Sequence, residues 1–104
     1  MTINTTPLRH AAEIRRTIRN ARTIWGVASQ SWGTRVPQSV SARQMAAVWL
    51  SQKKRLTSRE IGAAIGRERT MITTYLQNHR DAMAHDAEYR NKWEEFVEIQ
   101  NLQI

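Results

Sequence analysis
A chain of 104 residues has room for one domain with a modest core and not for two. It has no cysteine, which excludes a disulfide scaffold and a thiolate metal site, and no apolar run nears the ~20 residues that cross a bilayer. The formal net charge of +7 is unevenly spread: residues 1–80 hold 14 Lys and Arg against Glu13, Glu60 and Glu68, while residues 81–104 hold Arg90 and Lys92 against Asp81, Asp86, Glu88, Glu94, Glu95 and Glu98.

A basic stretch of that length points toward a polyanion, whose phosphates release condensed counterions when neutralised. Met1 to Pro7 lacks the basic-then-apolar pattern of a signal peptide. The expectation is a soluble, cytoplasmic protein with no membrane partner.

Thr6-Pro7 opens the first predicted helix, with threonine as cap and proline at the first helical position. Ala11, Ile14, Ile18, Ala21 and Trp25 follow at spacings of three and four, and Gly26 stops the helix. Arg15, Arg16, Arg19 and Arg22 lie off that stripe. Residues 1–26 therefore read as a basic amphipathic helix. Its stripe has two uses, packing on the rest of the chain or pairing with a second copy through residues 8–25.

Residues 27–40 read as a loop rich in Ser, Gly and Pro, with Trp32 as an anchor into the core. The domain proper then spans 41–104. Ser41-Ala42-Arg43-Gln44 has the form of a capping box and starts a helix that ends near Lys53, with Met45, Ala46, Val48 and Trp49 inward. Thr57-Ser58-Arg59-Glu60 is a second capping box, predicting a short helix over 58–65 with Ile61, Ala64 and Ile65 inward, stopped by Gly66. Small Ala63 and Ala64 allow a neighbouring helix to come close.

A fourth helix is predicted from Arg69 to Met83 with Ile72, Tyr75, Leu76 and His79 on one face. Asp86 caps a fifth, striped by Tyr89, Trp93, Phe96 and Val97. With no period-2 run of useful length, the predicted class is all-α, about five helices.

Two helices joined around one glycine, the first short and capped, the second amphipathic, describe a helix-turn-helix. With Ile72, Tyr75, Leu76 and His79 inward, the opposite face of the second helix carries Thr70, Thr73, Thr74 and Gln77. These are short donors and acceptors able to reach base edges or phosphates. Threonine is a mediocre helix former, so a solvent face built from it has a local cost that a binding role would explain. Arg69 leads this helix, where base contacts concentrate, and Met71 flanks the face.

The segment RQMAAVWLSQKKRLTSREIG, residues 43–62, resembles the start of the C-terminal DNA-binding domain of the bacterial replication initiator DnaA, a Trp-repressor-like helix-turn-helix. Gly66-Arg67-Glu68-Arg69-Thr70-Met71-Ile72 is similar to that family's signature Gly-Arg-Asp-His-Thr-Thr-Val. The resemblance covers roughly residues 35–97. It implies that Arg35 enters a minor groove and that Arg43 and Gln44 hold phosphates. Ser58 and Arg59 would approach the backbone from the supporting helix. Glu68, Arg69 and Thr70 match the Asp-His-Thr of the signature, which reads base edges in the major groove, and Arg67, the signature arginine, is a further DNA-binding candidate. Arg69 replaces the signature histidine, Met71 replaces its second threonine, and Pro37 replaces a basic loop residue, so the family's target sequence does not carry over.

No phosphate-binding loop of the Gly-x-x-x-x-Gly-Lys-Ser/Thr type is present, so neither nucleotide nor any other cofactor is expected. His10, His79 and His85 lack metal-ligand spacing, which argues against an enzyme, and His79 reads as a core histidine. Single-stranded RNA recognition wants exposed aromatics, and only Trp32 lies off a core stripe. The leading expectation is a sequence-specific double-stranded DNA-binding protein, a small transcription or replication regulator. The alternative is a protein-interaction adaptor, such as a partner or competitor of a replication initiator, that binds DNA only non-specifically.

Overall fold
The computed structural model describes residues 6–102, with side chains from His10 onward. Among these residues five helices run in order: α1 (Thr6–Trp25), α2 (Pro37–Gln52), α3 (Ser58–Ile65), α4 (Arg69–His85) and α5 (Ala87–Leu102), with a 3-10 turn at Ser29–Ser31. Among the described residues there is no strand, and the all-α expectation holds. No helix among the described residues is long and apolar enough to cross a membrane.

α2 is the hub. It packs against α1, α3 and α4, while α5 closes over α1 and α4. Every residue from Ala42 to Leu50 is buried, so this helix has no solvent face over its central turns. It starts four residues before the predicted capping box, with Pro37 in the first turn and extended Val36 as its cap residue. Ser41 lies inside the helix, so the loop ends at Val36 and not at residue 40.

The stripe on α1 is spent within the chain. Ala21 is fully buried, and Ile14, Ile18 and Trp25 pack against the core. Asn20 Nδ2 donates to Gln100 Oε1 at 2.5 Å, and Gln100 Nε2 donates to Thr17 Oγ1 at 3.0 Å, tying α1 to α5 through buried amides. Lys92 Nζ lies 5.2 Å over the Trp25 ring and donates to the Ile24 carbonyl at the end of α1. A homodimer through residues 8–25 would have to use the opposite, arginine-bearing side. The cap expected from Thr6 and Pro7 lies outside the described side chains.

The remaining helix ends follow local chemistry. Thr57 and Glu60 form the predicted capping box: the Thr57 side chain accepts from Glu60 N at 3.2 Å, and Glu60 Oε1 accepts from Thr57 N at 2.9 Å. The hydrogen bonds from Thr57, backbone first, hold the Glu60 carboxyl below the usual carboxylate range. Asp86 caps α5 by accepting from Tyr89 N at 3.1 Å. The core is finished by edge-on aromatics, with Trp49 and Phe96 centroids 5.8 Å apart and His79 and Trp93 centroids 4.6 Å apart.

Candidate nucleic-acid interface
The turn between α3 and α4 depends on two glycines. Gly66 takes φ 79°, the left-handed conformation that ends α3. Its N–H and that of Arg67 both donate to the Gly62 carbonyl, at 2.9 and 2.8 Å. The chain therefore doubles back so closely that a Cβ on Gly62 would overlap the Arg67 carbonyl oxygen. Of the two alanines expected to allow close approach, Ala64 packs against the core and Ala63 is exposed, and the tightest approach is at Gly62.

α4 leaves this turn with its sides divided as the periodicity predicts. Ile72, Tyr75 and His79 are buried and Leu76 packs on the core. Arg69, Thr70, Thr73, Thr74 and Gln77 are exposed, and Met71 beside them is 38% exposed. Glu68 is the extended residue before the helix, exposed, and its carboxylate makes no capping bond. On α3, Ser58 is half-buried in the first turn and Arg59 is exposed.

Two predicted phosphate ligands are elsewhere. Arg43 is only 3% exposed, and its guanidinium donates to the Tyr75 hydroxyl at 3.0 Å and to the carbonyls of Trp32 and Thr34. Gln44 is 6% exposed and donates to the Tyr89 hydroxyl at 3.1 Å. Neither side chain faces solvent, because α2 is enclosed over residues 42–50, so contrary to the expectation both are bonded inside the fold and turned away from a phosphate. A polar residue on an enclosed helix must find partners inside.

Tyr89 also lies 2.8 Å from His79 Nδ1. The hydroxyl that receives the Gln44 amide thus also bonds this ring nitrogen, so one oxygen joins α2, α4 and α5. Burial lowers the His79 pKa and raises that of Tyr89, so both stay neutral. His79 is the core histidine the sequence suggests.

The segment before α2 is moored beside the turn. Trp32 is half-buried, and its indole N–H donates to the Ile65 carbonyl at 3.1 Å, as an anchor should. Arg67, from the turn, is half-buried and donates to the Gly33 carbonyl at 2.8 Å and to the Gly66 carbonyl at 2.9 Å. Arg35 follows two residues after Gly33 and is exposed. Arg69 follows two residues after Arg67. Each is therefore within about 7 Å of chain of the residues that this bond joins.

The arrangement thus brings Arg35, Arg67, Glu68, Arg69 and Thr70 to one end of the fold, with Thr73, Thr74 and Gln77 continuing along α4. Sequence reasoning missed Gly62, the Tyr75 hydroxyl and the row of loop carbonyls. Only Gly62 had a visible signal, a glycine inside a predicted helix. Among the described residues no group of His, Asp and Glu is arranged to hold a metal ion. Set against protein families, curated proteins and solved structures, the chain matches none.

Proposed function
We propose that this protein is a sequence-specific double-stranded DNA-binding module that lays the exposed side of α4 in the major groove. The observation that carries this reading is the division of α4: a buried Ile72–Tyr75–His79 side, and an exposed side of threonine and glutamine led by Arg69. Threonine can satisfy base edges with little side-chain ordering, glutamine can pair bidentately with adenine, and an arginine can pair bidentately with guanine, worth about 1–3 kcal/mol of discrimination.

Exposed Arg35 and Arg59, both ahead of that helix in sequence, supply charge for phosphates or a minor groove. The resemblance of residues 43–72 to the DNA-binding domain of a replication initiator supports the same reading, as a reader without the ATPase. The role that follows is that of a small regulator of transcription or replication.

Selection of bound duplexes from a random pool, at stated salt, tests this. The expected result is a short preferred motif whose binding weakens as salt rises. Retention of all duplexes alike, lost at moderate salt, would favour the adaptor, in which the basic surface meets an acidic protein.

A further inference from the structure
The segment Ser31–Thr34 is held in an unusual way for a surface loop: all four successive carbonyls accept hydrogen bonds from side chains. Ser31 receives the hydroxyls of Ser39 and Thr34, both at 2.8 Å. Trp32 and Thr34 receive Arg43, the latter at 2.8 Å, and Gly33 receives Arg67 at 2.8 Å. The same Arg43 guanidinium donates through Nε to Tyr75, a residue of α4 that is 1% exposed. One buried cation thereby joins the strap, the central helix and the exposed-face helix.

An apolar residue at position 43 would stabilise the core without such a network. Loop carbonyls at a surface are satisfied by water, and enclosing a guanidinium carries a desolvation penalty that a well-packed apolar residue avoids. What Arg43 supplies instead is a fixed geometry between Thr34 and Tyr75, and Arg35 is the next residue along the strap.

We propose that Arg43 is a positioning residue that locks the Trp32–Arg35 strap to α4, so that Arg35 and Arg69 meet a ligand as one preset pair. The identity of that ligand as duplex DNA rests on the function proposed above. The locking itself does not. A loop fixed before binding needs no ordering when the complex forms, so Arg43 acts on affinity without touching the nucleic acid.

The test uses two variants of the full chain, Arg43→Lys and Tyr75→Phe. Lysine keeps the charge but cannot span Tyr75 and two carbonyls from one planar group. Tyr75→Phe removes only the link to α4 and keeps the ring in the core, so it remains informative if Arg43→Lys folds poorly. Hydrogen–deuterium exchange should be about tenfold faster at the amides of Trp32 and Thr34, which donate to the Ser29 and Ser31 carbonyls, in either folded variant, with α5 unchanged. Unchanged exchange in the strap of a folded Tyr75→Phe variant would overturn the proposal.

The second arm measures binding to the duplex selected by the wild-type protein. Arg35→Ala and Tyr75→Phe should each weaken it, and the double variant should lose less than the product of the two. Fully multiplicative losses would overturn the preset pair. If the wild-type protein selects no duplex, the DNA reading fails while the exchange arm still decides the locking.

Discussion

The amide of Arg67 donates to the carbonyl of Gly62 at 2.8 Å, and the carbonyl of Arg67 occupies the space a side chain on Gly62 would need. This closed turn sets the direction in which α4 leaves α3. Gly62→Ala should therefore destabilise the fold by roughly 1–3 kcal/mol, since backbone rather than a flexible side chain must move. Urea unfolding followed by circular dichroism would measure it, and a midpoint equal to wild type would show that the turn has slack.

Arg69 and Arg59 should separate base reading from phosphate contact. Arg69→Ala is expected to cost about 1–3 kcal/mol on the selected duplex and to relax preference at one base pair. Arg59→Ala should weaken all duplexes alike and reduce the slope of log affinity on log salt by about one. Fluorescence anisotropy titrations at several salt concentrations, on selected and scrambled duplexes, would check both. Equal losses on the two duplexes for Arg69→Ala would remove it from base recognition.

His79 gives the fold a pH dependence with a definite sign. Burial depresses its pKa, so between the folded and ordinary values the unfolded chain holds the extra proton. Its contribution is complete above about pH 6.5 and declines as pH falls from there toward the depressed folded value. His79→Gln keeps an acceptor for Tyr89 without the titration. The stability gap between wild type and this variant, measured from pH 7.5 down to pH 5, should shift against wild type. A gap constant across that range would assign the histidine no part in acid sensitivity.

Gln100 is buried at 1% exposure between α1 and α5, bonded to Asn20 and Thr17. Gln100→Ala should cost about 1–3 kcal/mol, through the two lost bonds and the space left behind. Amides of α1 should exchange faster while those of the α3–α4 turn keep their protection, as hydrogen exchange can resolve. Equal loosening at both places would mean that α1 and the turn unfold together.

The elements that sequence reasoning placed best are those with a local chemical marker at each end. α3 begins after a capping box and stops at a left-handed glycine, and its observed bounds are the predicted ones. The two sides of α4 were legible because burial there follows one helical period. α2 failed on both counts. The Ser41–Gln44 pattern imitates a helix start, but Pro37 already occupies the first turn, and nothing in four residues says which signal wins.

The same helix hid the roles of Arg43 and Gln44. Polar residues next to apolar ones suggest a solvent edge, whereas here every side is covered and the partners lie up to 45 residues away in sequence. Periodicity reports one covered face. It cannot report a helix covered all round, nor the distant oxygens that make such covering tolerable.

Because the strap is held chiefly by its main-chain oxygens, its path does not depend on what residue 35 or residue 36 happens to be. The scaffold thus keeps its shape separate from the letters it displays. A library randomised at Arg35, Val36, Arg69 and Thr70, all exposed, would change what is recognised while leaving the backbone that presents it in place.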